Sequence, residues 1–161
     1  MKILLIARGK EDKVFEVVEN LKSKGLEVDY LPYMDDLGFF KANKIFKENI
    51  KEKLKNNTYD LVNLHEPYYT ATPIMAVSLK TPIIVNLYKS DFITKDNFIL
   101  KNMRRFNLGL AVESNKTIIE DESTKKSLEN YFKGEVSVKD LEVDATGIKS
   151  VLGMVGLSND W

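Results

Sequence analysis

The only histidine of the sequence is the first residue whose type and position could do chemistry. His65-Glu66-Pro67 follows the run Asp60-Leu-Val-Asn-Leu64, which is typical of a buried strand. Ligands of parallel α/β sheets collect beyond the carboxyl ends of strands, where an imidazole can hydrogen-bond a sugar or phosphate or move a proton. The alternative is a loop histidine that fixes the turn before Pro67. His65 is therefore a candidate catalytic residue, and Glu66 a candidate substrate-binding residue.

A second group of polar side chains follows the next β-rich run, Thr81 to Leu87. Lys89, Ser90 and Asp91 supply a cation, a hydroxyl and a carboxylate, and we expect them to bind substrate at the same sheet edge. The alternative is that Ser90 or Asp91 caps the following helix, a role that stabilises a protein by about 1 kcal/mol without any function. Adjacent residues can fill both roles.

The loop after the first strand is the third candidate. Gly9 and Lys10 lie between the apolar run Lys2 to Ala7 and a helical pattern, where backbone N–H groups can approach a phosphate. The loop holds one glycine, so it forms neither a GxGxxG nor a Walker motif. Both residues are candidate substrate-binding residues, and the alternative is that Gly9 only permits a tight turn.

A cationic amphipathic segment runs from Phe39 to Lys55. Between residues 41 and 55 it carries six lysines against two glutamates, and its apolar side chains share one face: Ala42, Ile45, Phe46, Ile50 and Leu54. Phe39, Phe40, Lys41 and Lys44 could contact an anionic membrane or an acceptor. The sequence favours the alternative, a crossover helix packed on a sheet with a solvated lysine face.

The scaffold that must position these residues alternates strands with helices. A strand Lys2 to Ala7, a helix Glu11 to Lys24 and a strand Leu26 to Leu31 form a crossover unit of about thirty residues. Further predicted elements are a helix Ile74 to Leu79, a strand Thr81 to Leu87, a helix Lys95 to Phe106, an apolar run Leu108 to Val112, a strand Thr117 to Glu120, a helix Ser123 to Phe132 and a strand Glu135 to Leu141. This alternation predicts an α/β fold of three layers, with a Rossmann-like, doubly wound and mostly parallel sheet.

Two stretches depart from this alternation. Pro32 to Asn43 reads as a twelve-residue loop, which is long for a compact domain and expected where ligands bind. Ser150 to Leu157 reads as a further buried strand. We therefore expect one domain over residues 1–148, and a linker with the start of a truncated second domain over residues 149–161.

Composition excludes several classes of function. The 161 residues carry 24 basic and 24 acidic side chains, and this balance gives no overall positive field for nucleic acid, which we do not expect as a partner. The absence of cysteine excludes disulfides, a thiolate nucleophile and cysteine metal sites. No run of about 18 apolar residues occurs, so we expect no membrane-spanning segment and, by default, a cytoplasmic protein.

The order of the segments resembles the amino-terminal domain of retaining glycosyltransferases of the GT-B fold, the group that includes sucrose, glycogen and lipid-linked mannosyl transferases. The resemblance covers residues 1 to about 148. It rests on the first strand and on the segments Leu21-Lys-Ser-Lys-Gly-Leu-Glu-Val28, Tyr59 to Pro67, Thr81 to Asp91, Ile118 to Leu128 and Leu141-Glu-Val-Asp-Ala145.

The resemblance implies an acceptor-binding domain of an enzyme that transfers a sugar from a nucleotide-sugar donor with retention, and that needs neither a metal nor a resident cofactor. His65 matches the cleft histidine that contacts the reacting sugar or acceptor, Ser90 and Asp91 match a "GSD"-like edge, and Gly9 matches the glycine loop near the donor phosphates. The family's second glycine is missing from the first loop, and Lys89 stands where a small residue is common.

The partners implied by the resemblance are a nucleotide-sugar, a sugar or lipid acceptor and a donor-binding carboxyl-terminal domain that the sequence lacks. The isolated chain is then expected to be inactive, and peripheral contact with a membrane is compatible with a lipid acceptor. The alternative is a non-enzymatic α/β module that binds a partner subunit or an anionic membrane.

Overall fold

Strands and helices alternate along the chain in the computed structural model, which describes residues 1–9, 12–77 and 79–157. The described strands are β1 Lys2–Arg8, β2 Glu27–Tyr33, β3 Leu61–His65, β4 Ile83–Leu87, β5 Lys116–Ile119 and β6 Leu141–Val143. The described α-helices are α1 Asp12–Ser23, α2 Phe39–Asn56, α3 Pro67–Met75, α4 Phe98–Ser114, α5 Glu122–Phe132 and α6 Ile148–Met154. The strands form one parallel sheet in the order β2-β1-β3-β4-β5-β6. The predicted Rossmann-like α/β fold is confirmed.

Two apolar layers enclose the sheet. Successive strand residues point to opposite faces, so the continuous apolar run Ile3 to Ala7 contributes to both layers and is fully buried. The helices α2 to α5 pack on one face, and α1 and α6 pack on the other. A sheet covered on both faces needs strands that are apolar throughout, and polar side chains within them stand out.

Two helices differ in length from their prediction. The helix predicted over Ile74 to Leu79 is α3, which begins at Pro67 directly after β3 and ends at Met75. The helix predicted to end at Phe106 continues to Ser114 and absorbs the apolar run Leu108 to Val112. Part of that run packs on the sheet as one face of a helix. In the sequence alone, so short an apolar run looks the same whether it belongs to a helix or forms a buried strand.

Of the two strands predicted near the end of the described chain, one is displaced and the other is wrong. The edge strand is the three-residue β6, which begins at Leu141, the last residue of the segment predicted as a strand over Glu135 to Leu141. Ser150 to Leu157 is not a strand, since α6 occupies most of it. Ile148, Val151 and Leu152 are spaced as one helical face and are buried against α1 and the sheet.

The prediction of a long loop over Pro32 to Asn43 is also wrong, because a strand end, a 3₁₀ turn and the start of a helix occupy this range. Strand β2 continues to Tyr33 by pairing with Arg8, a 3₁₀ turn covers Asp35–Leu37, and α2 begins at Phe39. Gly38 precedes the helix with φ of 77°, a conformation that glycine adopts without strain. In α2 itself Ala42, Phe46 and Ile50 are buried as predicted, whereas Ile45 is 41% exposed.

The sheet reverses its winding between β1 and β3. Strand β1 connects through α1 to its neighbour on one side, and β3 connects through α3 to its neighbour on the other. Chain segments therefore diverge beyond the carboxyl ends of these two strands, at Arg8-Gly9 and His65-Glu66. Doubly wound folds bind ligands at such a switch point.

Candidate ligand-binding site

A cavity of about 270 Å³ opens at this carboxyl edge of the sheet. The residues that line it come from the start of α1, from the ends of β3 and β4 and from the end of β5: Lys13, Val14, Glu66, Tyr88, Lys89, Ser90 and Glu120. A second cavity of about 220 Å³ shares Lys13, Tyr88 and Glu120 with it and extends to Thr146 and Ile148. Together the two cavities make one groove beside the switch point.

Charges of both signs meet in the larger cavity. Lys13 Nζ lies 2.8 Å from Glu120 Oε1 and 5.9 Å from the centre of the Tyr88 ring. Lys89 and Glu66 add a second cation and a second carboxylate. Among the described residues that line the cavity, two cations thus balance two carboxylates beside one aromatic wall, a combination suited to a neutral ligand with many hydroxyl groups.

Glu66 ties the two sides of the switch point together. Its backbone is left-handed, with φ of 50° and ψ of 57°, and its carbonyl accepts the hydrogen bond of the Tyr69 N–H at 3.0 Å as α3 begins. The Arg8 N–H at the end of β1 donates to Glu66 Oε2 over 3.1 Å. A residue with a Cβ is unusual in this backbone conformation, and it persists here because neighbouring elements hold it in place.

His65 is completely buried and does not line the cavity. Its Nδ1 lies 2.6 Å from Tyr88 Oη, and the two rings stack with their centres 5.9 Å apart. Burial lowers the pKa of His65 to about 4, so the imidazole is neutral at pH 7. Among the described residues Nε2 finds no hydrogen-bond partner. The histidine reaches the cavity only through Tyr88.

Asp91 is buried as well, and it holds two turns together. Oδ1 accepts from the Tyr68 N–H at 3.1 Å and Oδ2 from the Tyr88 N–H at 2.8 Å, which joins α3 to the 3₁₀ turn Lys89–Phe92. Burial raises the pKa of Asp91 to about 8, and the nearby Glu66 carboxylate adds to the rise. Lys89 and Ser90 on the same turn are exposed and line the cavity.

Gly9 lies beside the switch point, outside the residues that line the cavity. Its φ is 60°, its N–H donates to the Tyr33 carbonyl at 2.9 Å, and its carbonyl accepts from the Tyr30 hydroxyl. The Gly9 amide is therefore already paired within the fold. Lys10 falls outside the described residues.

The four residues predicted to contact a membrane or acceptor lie at the start of α2. Phe39 is half-buried under the Arg104 guanidinium, with 5.2 Å between that group and the ring centre. Phe40 is 77% exposed and packs edge-on against Phe39, while Lys41 and Lys44 are exposed. None of the four lines the cavity at the sheet edge.

Sequence reasoning missed the three polar residues of the cavity wall other than Glu66, Lys89 and Ser90. Tyr88 lies in the polar segment that was singled out after β4, and Glu120 follows β5 directly, so the rule that ligands meet the carboxyl ends of strands points to both. Lys13 lies in the first turn of α1. Its ion pair with Glu120 joins residues 107 positions apart, and nothing in the sequence signals that contact.

A buried arginine near the same edge was also missed. Arg104 on α4 is 4% exposed, and its Nη1 lies 3.2 Å from Asp96 Oδ2. Its guanidinium lies 4.6 Å from the Tyr69 ring centre, and that of Arg8 lies 4.0 Å from the same centre. These contacts clamp the start of α3, the helix whose first residues follow Glu66.

Comparisons with known proteins add no family to this description: the chain matches no protein-family model and no curated protein. Within the described ranges, no three histidine, aspartate or glutamate side chains come together in a way that could hold a metal ion. None of the described helices combines the length and the hydropathy needed to cross a lipid bilayer.

Proposed function

We propose that the groove at the carboxyl edge of the sheet binds a carbohydrate acceptor, and that the chain is the acceptor-binding domain of a retaining glycosyltransferase. The observation that carries the binding proposal is the balance of Lys13 and Lys89 against Glu66 and Glu120 around the Tyr88 ring. The transferase assignment rests on the sequence resemblance, and the nucleotide-sugar donor would bind to a second domain or a second chain.

Charge balance supports a sugar over a free phosphate. A phosphate site gathers cations and backbone N–H groups, and here two carboxylates face the same space while the Gly9 amide is engaged by Tyr33. Ionised carboxylates accept hydrogen bonds from sugar hydroxyls, and lysines donate to them. The Tyr88 ring offers a flat surface to the C–H face of a sugar.

The size of the cavity supports an acceptor over a donor. Its volume of about 270 Å³ is slightly below the roughly 300–1,000 Å³ of pockets that bind drug-sized ligands. A sugar unit needs less space than a nucleotide-sugar. In this proposal His65 is a positioning residue, because its hydrogen bond fixes the ring of Tyr88 and it touches no ligand.

The test is a titration of the ¹⁵N-labelled protein with glucose, mannose and their methyl glycosides, and separately with inorganic phosphate. We expect a sugar to shift the amide signals of Glu66, Tyr88 and Ser90. Lys89→Ala should weaken sugar binding about tenfold or more, because hydrogen bonds to charged groups contribute about 1.5–3 kcal/mol.

The matched control is Lys126→Ala, which removes an exposed lysine from α5, away from the groove. It should leave the sugar titration unchanged. Shifts at the groove with phosphate and none with any sugar would contradict the carbohydrate proposal. Sugar binding without transfer, after supply of a nucleotide-sugar and every candidate partner domain, would contradict the transferase assignment alone.

The burial of His65 and the exposure of Phe40 favour a second candidate function, a non-enzymatic module that binds an anionic membrane through the start of α2. Phe40, Lys41 and Lys44 together present an apolar ring beside two cations. Co-sedimentation with vesicles of phosphatidylserine and phosphatidylcholine tests this candidate. Binding that survives Phe40→Ser unchanged would remove the α2 segment from it.

A further inference from the structure

The outward face of α4 carries apolar side chains that the described residues leave exposed. Ile99, Met103, Phe106 and Leu110 all lie on this face, and Phe106 keeps 67% of its surface in solvent. The opposite face of the helix is buried in the core. A contiguous apolar stripe of this kind is rare on a monomer and marks an interaction surface.

The four residues, which we call the α4 seam, follow one another at intervals of four, three and four. This is the spacing of the core positions in a coiled coil, so the seam runs straight along the helix for about 16 Å. The next position of the heptad is Glu113, where the seam ends. Such a seam fits one partner helix that packs lengthwise along α4.

The two halves of the α4 seam differ in shape. Phe106 and Leu110 line a groove of about 430 Å³ between α4 and α5, which Phe132 and Val136 also line. Ile99 and Met103 do not line it. An antiparallel two-fold pairing of two copies about the middle of the seam places Met103 opposite Phe106 and Ile99 opposite Leu110. The half without a groove then meets the half with one, as a self-complementary interface requires.

The positions that flank the α4 seam are uncharged: Leu100, Asn102, Asn107 and Gly109. Flanking charges set the choice of partner in paired helices, and at these four positions a second copy brings no like-charge repulsion. The charged residues on the groove wall are Arg105, Glu113 and Glu135, of which Arg105 and Glu135 form an ion pair. An anionic membrane surface would instead require cations beside the apolar face. We propose that the α4 seam binds the α4 seam of a second copy of this chain in an antiparallel, two-fold dimer.

One helix pair gives a small interface compared with the roughly 800 Å² per partner of stable complexes. The dimer should therefore depend on concentration. Sedimentation equilibrium from about 10 µM to about 1 mM should show the mean mass rising from the 18.5 kDa of one chain toward twice that value. A single species of 18.5 kDa over the whole range would overturn the proposal.

Charged substitutions test whether the α4 seam forms the dimer interface. Met103→Glu and Phe106→Glu should each abolish the rise in mass. The matched control is Ile45→Glu on α2, since Ile45 is 41% exposed and Met103 is 39% exposed. The control should dimerise like the unmodified chain, and circular dichroism checks that each variant is folded. Equal loss in the control, or dimers that persist in both folded seam variants, would overturn the proposal.

Thiol cross-linking tests the antiparallel register, because the chain contains no cysteine of its own. In an equal mixture of Ile99→Cys and Leu110→Cys chains, a short bismaleimide should join one chain of each kind. Each variant alone should cross-link less, because in an antiparallel pair identical positions lie about 16 Å apart along the helix axis. Stronger cross-linking within either single variant would indicate parallel helices and overturn the antiparallel dimer. Vesicle binding by a monomer that requires Phe106 would also overturn the proposal, because a membrane would then be the occupant of the seam.

Discussion

Two buried ionisable groups should give this protein an unusual dependence of stability on pH. Burial lowers the pKa of His65 from 6.5 to about 4 and raises that of Asp91 from 3.8 to about 8. Below pH 6.5 the unfolded chain binds a proton at His65 that the folded chain does not bind. The contribution of His65 to the free energy of unfolding therefore decreases as the pH is lowered from 6.5 to about 4. The decrease is about 1.4 kcal/mol per pH unit and about 3 kcal/mol in total.

Asp91 acts in the opposite direction. Between pH 3.8 and about 8 the folded protein keeps a proton on Asp91 that the unfolded chain has released, so stability falls as the pH rises. The two slopes cancel between about pH 4 and pH 6.5. Above pH 6.5 only Asp91 contributes, and we expect the free energy of unfolding to drop by about 2 kcal/mol between pH 6.5 and pH 8.

The assay is urea unfolding followed by far-ultraviolet circular dichroism at intervals from about pH 4.5 to about pH 8.5. His65→Gln should turn the plateau into a continuous decline with rising pH. The free energy of unfolding of Asp91→Asn should instead rise with pH up to about pH 6.5 and stay constant above it. The carboxyls of Asp29 and Asp121 have lowered pKa values and titrate below this window. A wild-type protein whose stability rises between pH 6.5 and pH 8 would refute the reasoning, because Asp91 would then be ionised throughout.

Two further pairs of substitutions test particular contacts by the same unfolding assay. Gly147→Ala should destabilise by about 2 kcal/mol or more, because φ is 68° and the new Cβ would collide with a buried asparagine of β4, whereas Gly153→Ala inside α6 has open space and should be neutral or stabilise by about 0.5–1 kcal/mol. Equal effects of the two alanines would contradict this account. Tyr59→Phe should cost about 1–2 kcal/mol and raise the pKa of Asp29, because the Tyr59 hydroxyl donates to that carboxylate at 2.6 Å. Tyr131→Phe should be neutral or stabilising, since its buried hydroxyl has no partner among the described residues, and a loss of more than about 0.5 kcal/mol there would reveal one.

The fold class and most of the strands could be read from the sequence because their cause is local. A strand covered on both faces must be apolar throughout, and the runs after Lys2, Asp60 and Pro82 satisfy this requirement before any tertiary contact is known. The sequence left Leu108 to Val112 unassigned and wrongly indicated a strand over Ser150 to Leu157, because a short apolar run suits a strand and a helix equally well. Leu108 to Val112 is helical because its buried side chains pack on the sheet as part of α4. Most of Ser150 to Leu157 is helical because its buried side chains pack against α1.

The sequence by itself determined which polar residues follow β3 and β4, and hence that His65, Glu66 and Ser90 lie near one edge of the sheet. Only the tertiary structure decided which of them meet solvent. Side chains alternate across a strand, so the fifth residue of β3 points His65 into the layer beneath α1 and α6, where burial removes its charge and leaves it bonded to Tyr88. The wall of the groove then depends on Lys13 and Glu120, which are brought together by the order of the strands and not by any local pattern.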